Sequence, residues 1–74
     1  MNVLLFGVLA DVTGKSAITM EAADLDSLKE NLLTQFPVLK QYRFQFAVNR
    51  EKAARNISLN RDDEVALLPP FAGG

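Results

Sequence analysis

The sequence has no cysteine, no histidine and no tryptophan among its 74 residues. Without cysteine there is no disulfide, no thiolate nucleophile and no thiolate metal site. Without histidine the chain lacks both the commonest general base and the commonest metal ligand. We therefore expect no metal site, and neither histidine nor cysteine of this chain can take part in a reaction.

Charge and hydropathy argue against two further classes of partner. The net charge is −1, which gives no general attraction to nucleic acid or to an anionic membrane surface, so we expect neither as a partner. Residues 3–10 form an apolar run of signal-peptide length, but no positive residue precedes it, and cleavage would remove the first predicted strand. No stretch approaches the ~20 apolar residues of a membrane span. We therefore predict a cytoplasmic protein.

The first third of the chain predicts two strands. Hydrophobic residues make up 49% of the sequence, which at this length indicates one folded domain. Residues 3–9 are apolar on both faces of a predicted strand, which favours an interior position in a sheet. Turn-forming residues follow at 11–16, and residues 17–22 return as a second strand.

The pattern then changes to a helical period. Apolar residues recur at the spacing of one helix face: Leu25, Leu28, Leu32, Leu33 and Phe36. Asp24 is placed to cap this helix, and Pro37 marks its end. Residues 43–49 alternate apolar and polar as a half-buried strand does, and residues 64–68 form the last strand. The order β-β-α-β-β predicts an α+β fold, with a mixed sheet on one main helix and the first and last strands side by side.

One motif resembles a phosphate-binding loop without meeting its requirements. Thr13-Gly14-Lys15-Ser16 ends like the pattern G-x-x-x-x-G-K-[ST], but Leu9 occupies the first glycine position. The segment after Ser16 is predicted as a strand, so a phosphate would lack the backbone donors of a helix N-terminus. We interpret the segment as a hairpin turn with an exposed lysine.

Basic residues are concentrated in the second half of the chain, where Glu51 is the only acid among them: Lys40, Arg43, Arg50, Lys52, Arg55 and Arg61. One interpretation is a docking patch that raises the rate of association with an acidic partner. The other is an ordinary solvated surface, because single surface charges reveal little.

The C-terminal segment reads Leu67-Leu68-Pro69-Pro70-Phe71-Ala72-Gly73-Gly74. Two prolines fix φ and favour an extended path. Two glycines have no Cβ, so the walls of a narrow site can close on the backbone. We predict a domain over residues 1–68 and an extended tail over residues 69–74 that enters another protein's active site. The alternative is a frayed end with no role.

Three apolar residues are candidates for partner contact: Phe6, Leu68 and Phe71. A strand that is apolar on both faces can bury one face against a single helix, which leaves part of the other face for a partner. Phe6 and Leu68 could instead complete the core, because alternation does not assign faces in an all-apolar strand.

Taken together, the element order, the length and the ending resemble the small subunit of molybdopterin synthase, the MoaD type of ubiquitin-like (β-grasp) sulfur carrier. The resemblance covers the whole chain and is most specific over residues 63–74, where Asp-Glu-Val-Ala, two bulky apolar residues, Pro-Pro and the final Gly-Gly all match. The opening Val3-Leu4-Leu5-Phe6-Gly7 and the turn at Gly14 also fit.

The resemblance implies a specific chemistry. The carboxylate of Gly74 is adenylated by a ubiquitin-activating-like adenylyltransferase that uses ATP, and is then converted to a thiocarboxylate. The tail, through Leu68, Pro69, Pro70, Phe71, Ala72 and Gly73, sits in the large subunit of the synthase. There it donates sulfur to a cyclic pterin precursor, which forms the dithiolene of the molybdenum cofactor. The carrier is then a non-catalytic subunit that binds no cofactor itself.

Two alternatives to this function remain open. The first keeps the chemistry and changes its destination, to a thiamine-pathway sulfur carrier or to a ubiquitin-like modifier that is joined to lysines. The second is a ubiquitin-like interaction domain whose tail has no chemical role.

Overall fold

The computed structural model describes residues 1–70, and five strands and three helical segments lie within that range. The strands are β1 (Asn2–Leu5), β2 (Ala17–Thr19), β3 (Gln45–Val48), β4 (Glu51–Ala53) and β5 (Glu64–Leu68). The helices are α1 (Val8–Thr13) and α2 (Leu25–Gln35), followed by a 3₁₀ helix over Pro37–Gln41. None of the helices in the described range is long and apolar enough to cross a membrane.

The strands form one mixed sheet in the order β2-β1-β5-β3-β4. β1 and β5 are parallel neighbours, with Val3 beside Val65 and Leu5 beside Leu67. β3 lies antiparallel on the other side of β5. The prediction that the first and last strands lie side by side in a mixed α+β sheet is therefore confirmed.

Helix α2 forms where its period and its caps predict it. The Asp24 side chain accepts a hydrogen bond from the Ser27 amide at 2.8 Å, which satisfies one of the unpaired donors of the first turn. The helix ends at Gln35, before Pro37 begins the 3₁₀ helix. Leu28 and Leu32 are fully buried. Both belong to the core that also contains the inward side chains of β1 and β5.

The predicted strand over residues 3–9 is wrong in its second half. The strand ends at Leu5, and Gly7 adopts a φ of +58°, which turns the chain into helix α1. Leu9 on this helix is fully buried. Residues 3–9 are therefore apolar because β1 and α1 both contribute side chains to the same core. The turn predicted at 11–16 begins only at Gly14, which closes the helix in the left-handed conformation.

A short strand, β4, was not predicted from the sequence. It pairs with β3 through a two-residue hairpin in which Asn49 and Arg50 have φ values of 51° and 71°. Two positive φ values in succession are the geometry of a type I′ turn, whose usual sequence is Asn-Gly. Arginine at the second position conceals the signal, so the observed order has one strand more than predicted.

Candidate functional site

Three chain segments meet where the tail leaves the sheet. Because β1 and β5 are parallel, their carboxyl ends lie at the same edge, at Leu5 and Leu67. β3 is antiparallel to β5, so its first residue, Gln45, pairs with Leu68 at that edge too. The residues after Leu68 therefore leave from the middle of one end of the sheet, with neighbours on both sides.

Phe6 and Leu68 lie beside this exit. Phe6 follows β1, and its amide donates to the Leu67 carbonyl at 3.3 Å, while its side chain is 45% exposed. Leu68 is half-buried, next to the fully buried Leu67. Phe6 therefore does not complete the core, and the structure leaves its ring accessible to a partner. Val8, at the start of α1, is also 41% exposed.

The outer face of the sheet is apolar at its centre. On the inner face, Val3 and Val65 are fully buried beneath the helices. On the outer face, Leu4 and Ala66 lie side by side and are half-buried. Within residues 1–70 these outward side chains lack the complete cover that the inward ones have. The outer face, Phe6 and Leu68 together give a continuous apolar area around the exit of the tail.

Pro69 is held against the backbone of Gly7. An ideal Cβ placed on Gly7 would lie 3.1 Å from Cγ of Pro69. Real Cβ atoms rarely approach a neighbour that closely, so the absence of a side chain at Gly7 is what admits the proline ring. Gly7 was not among the predicted site residues. The one available signal was a glycine inside the apolar run of residues 3–9, since a glycine within a strand often marks a close approach without naming the partner.

A basic groove runs along the other side of the exit. Pro70 lines it, together with Tyr42, Phe44 and three cations: Lys29, Lys40 and Arg43. The Lys29 ammonium lies 5.9 Å from the centre of the Phe44 ring, within reach of a cation–π interaction.

The six basic residues of the second half are spread over more than one groove. Lys40 and Arg43 line the groove at Pro70, whereas Lys52 and Arg55 line an adjoining groove that shares Lys29, Phe44 and Gln45 with the first. These four cations therefore lie along adjoining grooves, and the docking patch stays a prediction.

The ionisable side chains do not form a reactive centre in the described part of the chain. The carboxylates with lowered pKa are Asp24 and Asp63. A hydrogen bond from the Ser27 amide lowers the pKa of Asp24, and one from the Asn60 amide lowers that of Asp63. Across residues 1–70 there is no group of three or more acidic side chains placed to hold a metal ion. Phe71, Ala72, Gly73 and Gly74 lie outside the described residues, so their roles stay predictions.

The comparison with protein families matches the chain by sequence over almost its whole length. The model of the ThiS family matches residues 3–74, which includes the exit and the diglycine. The chain belongs to the ThiS family. Among curated relatives, a molybdopterin synthase sulfur carrier subunit of Mycobacterium tuberculosis is 34% identical, over all of this chain and 96% of the relative. The family resemblance read from the sequence is confirmed.

Solved structures place this family member in the ubiquitin-like β-grasp fold. The crystal structure of small archaeal modifier protein 1 from Haloferax volcanii superposes with a TM-score of 0.84 at 26% identity, covering 100% of this chain and 98% of that one. A chain in the complex of subunits 1 and 2 of molybdopterin-converting factor from Helicobacter pylori superposes with a TM-score of 0.74 at 28% identity, covering 99% of this chain and 96% of that one.

Proposed function

We propose that this chain is the sulfur carrier subunit of a molybdopterin synthase and that it delivers sulfur as a thiocarboxylate at Gly74. The observation that supports this most is the full-length similarity to a molybdopterin synthase sulfur carrier subunit, which extends through the Pro-Pro and Gly-Gly segment. The fold adds a physical reason, because the tail starts from the centre of a sheet edge that presents apolar side chains around it.

The proposed reaction needs no side chain of the carrier. A free carboxylate is a poor acyl donor, since its leaving group would be oxide. Reaction with ATP converts the Gly74 carboxylate into an acyl-adenylate and releases pyrophosphate. A sulfur nucleophile then attacks the carbonyl carbon and AMP leaves, so that sulfur replaces one oxygen. The chain therefore acts as a substrate-like, non-catalytic subunit and binds no cofactor of its own, while the activating enzyme uses the ATP.

The proposed docking surface has two parts. Phe6, Leu68 and the outer face of the sheet give the large synthase subunit an apolar area to cover, and burying a side chain such as Phe6 supplies about 1.5–3 kcal/mol at most. The tail from Pro69 to Gly74 enters the active site of that subunit. The ubiquitin-activating-like adenylyltransferase is the proposed second partner. It binds the same C-terminal tail, in the cytoplasm.

Intact mass spectrometry tests the proposal directly. The chain is incubated with an adenylyltransferase of this family, ATP and a sulfur donor, and its mass is measured before and after. We expect the mass gain of sulfur replacing oxygen, confined to the C-terminal fragment. The loaded chain is then mixed with a large subunit and the pterin precursor, and dithiolene formation is measured. Failure of loading, or loading without dithiolene formation, would contradict the synthase role.

A second candidate function is modification of other proteins. The Haloferax volcanii modifier superposes more closely than the molybdopterin-converting-factor chain, with a TM-score of 0.84 against 0.74. If the chain modifies proteins, an epitope-tagged version should form covalent adducts on lysines in cells, and these should disappear when Gly74 is deleted. Adducts that form without dithiolene production would favour this second function.

A further inference from the structure

We infer that Gly7 sets the direction in which the tail leaves the domain, because its backbone lacks a Cβ and lets the ring of Pro69 pack directly against it. We call this contact the seat of Pro69. This inference rests on the proposed carrier function, since direction matters only if the tail has to reach a partner's active site. It concerns a residue far from the diglycine in sequence, and it makes Gly7 a positioning residue that acts through Pro69.

The backbone at Gly7 has a shape that side chains disfavour. Its φ and ψ are +58° and −134°, and the amide of Leu9 donates to the carbonyl of Phe6 at 3.1 Å. This is a type II′ turn with Gly7 at its first central position, where φ is positive and glycine is preferred. The turn directs the Gly7 backbone toward the end of β5 as the chain passes from β1 into α1.

The contact with Pro69 is steric and specific. The Cγ and Cδ atoms of Pro69 lie 3.1 Å and 4.0 Å from the place where a Cβ of Gly7 would be, and within residues 1–70 no other atom beyond the chain neighbours of Gly7 lies within 4 Å of that place. Pro69 is half-buried, whereas Pro70 is exposed. The first proline is thus fixed by packing before the chain continues toward Gly74.

Fixing Pro69 sets the point on the domain from which the rest of the tail continues. Proline already restricts its own φ, and the seat on Gly7 restricts the position of its ring relative to the sheet. A displacement at Pro69 moves every residue beyond it. Because an error of 1 Å in a reacting atom can cost about a hundredfold in rate, even a part of that displacement should be measurable in sulfur transfer.

The experiment compares Gly7→Ala with a control that the chain itself offers. Gly14 also has a positive φ, +73°, but among residues 1–70 no atom beyond its own chain neighbours lies within 4 Å of where its Cβ would be. Gly14→Ala therefore introduces backbone strain without touching the described part of the tail. Chains carrying a chemically installed thiocarboxylate are mixed with a saturating large subunit and precursor, below the melting temperature of every variant. We expect Gly7→Ala to lower the transfer rate constant by about tenfold, and Gly14→Ala by less than about twofold.

A double mutant separates the contact from the strain of the turn. Pro69→Ala removes the two ring atoms that approach Gly7, so the Gly7→Ala change should have little further effect in a Pro69→Ala background. An equal loss of rate in both backgrounds, or no loss in either, would overturn the inference. If Gly7→Ala does not fold, Pro69→Ala is compared with Pro70→Ala. Pro69→Ala should slow transfer more than Pro70→Ala, and equal rates for the two variants would also overturn the inference.

Nuclear magnetic resonance provides a readout that does not depend on the chemistry. We expect nuclear Overhauser contacts between the Gly7 Hα protons and the Pro69 ring in the unmodified chain, and their absence would refute the seat. A parent chain that fails to transfer sulfur while showing these contacts would refute the proposed function and support the contact. Normal transfer by both the parent and Gly7→Ala would refute the inference alone.

Discussion

The two ends of β5 are held by different kinds of interaction. At the start of the strand, the Asn49 side chain donates to Asp63 at 3.0 Å and accepts from the Glu64 amide at 3.0 Å. The other oxygen of Asp63 accepts from the Asn60 amide at 2.7 Å. Three directional bonds from two side chains thus fix the turn into β5 relative to the β3–β4 hairpin.

At the exit, packing takes the place of these bonds. Among residues 1–70, no side-chain hydrogen bond involves Leu68, Pro69 or Pro70. Pro69 is held by its contact with Gly7, and Leu68 and Phe6 present apolar surface. Directional bonds at one end keep the register of the central strand. Packing at the other end holds the base of the tail at Pro69.

The largest effect is expected at Gly74, the last residue of the tail. One residue appended after Gly74 moves the carboxylate by about 3.3–3.6 Å and places an amide where the reactive carbon should be. All core contacts are unchanged. We expect sulfur loading to fall below detection, while docking to the large subunit weakens less because the sheet contacts survive. Loading is measured by intact mass, and docking by titration calorimetry.

A removable extension supplies the control for this experiment. An added segment that a protease trims back to Gly74 should restore loading after cleavage. Deletion of Gly74 should block loading as well, because it withdraws the carboxylate from the activating site. Normal loading of the extended chain without any protease would contradict the carrier mechanism.

The next effect separates the two faces of β5 close to the exit. Leu67 is fully buried and Leu68 is half-buried on the opposite face. Leu67→Ala should lower the free energy of unfolding by about 2–5 kcal/mol, because it leaves a cavity in a small core. Leu68→Ala should cost under about 1.5 kcal/mol and should instead weaken binding to the large subunit. Urea unfolding and calorimetry measure the two quantities, and the opposite ranking would mean that the faces are wrongly assigned.

Parts of the structure could be predicted from the sequence because their signals are local. Helix α2 has a full apolar stripe, an Asp24 cap and a proline stop, all within one segment. β5 has a turn before it and prolines after it. Helix α1 could not be predicted, since only six residues form it and its apolar run continues that of β1 without interruption. The helix starts after Gly7, whose positive φ the adjacent residues do not predict.

The candidate site could be predicted only in part. Phe6, Leu68 and the two prolines could be named as candidates from the apolar strand and the terminal segment, and the structure places all four at the exit, while their role in binding a partner stays a prediction. The contact of Gly7 with Pro69 could not be predicted, since the two residues lie near opposite ends of the sequence and meet only after β1 and β5 have paired. The distribution of the basic residues along the grooves also depends on tertiary packing.

A smaller effect concerns the stiffness of the exit. Replacing Pro69 and Pro70 together by glycine removes two fixed φ angles and the ring that packs on Gly7. Each proline reduces the freedom of the unbound chain by about 0.4–1 kcal/mol. The double variant should therefore bind the large subunit about four- to thirtyfold more weakly. The melting temperature should change little, and unchanged affinity would count against a preorganised tail.

The smallest effect is expected at the start of β5 and depends on pH. The Asn60 amide and then the Asn49 side chain hold the pKa of Asp63 below its ordinary value of 3.8. A carboxylate whose pKa is lowered in the folded state stabilises the fold above pH 3.8, and this stabilisation is lost as pH falls through the lowered folded pKa. Asp63→Asn should therefore reduce stability near neutral pH and flatten the acid dependence. Asp24 has a lowered pKa in the same window, so the informative quantity is the difference between variants.

Asp62 provides the matched control for this measurement. It is exposed in the same turn and, within the described residues, makes none of the bonds that surround Asp63. The free energy of unfolding is measured in urea from neutral pH down to about pH 2.5. We expect Asp62→Asn to leave the free energy of unfolding near neutral pH close to that of the parent, and the Asp63→Asn curve to meet the parent curve only at the acid end. Sulfur loading by Asp63→Asn should be normal, because the change affects the start of β5 and leaves the exit at its other end intact. Impaired loading at full folding would show that the two ends of the strand are coupled.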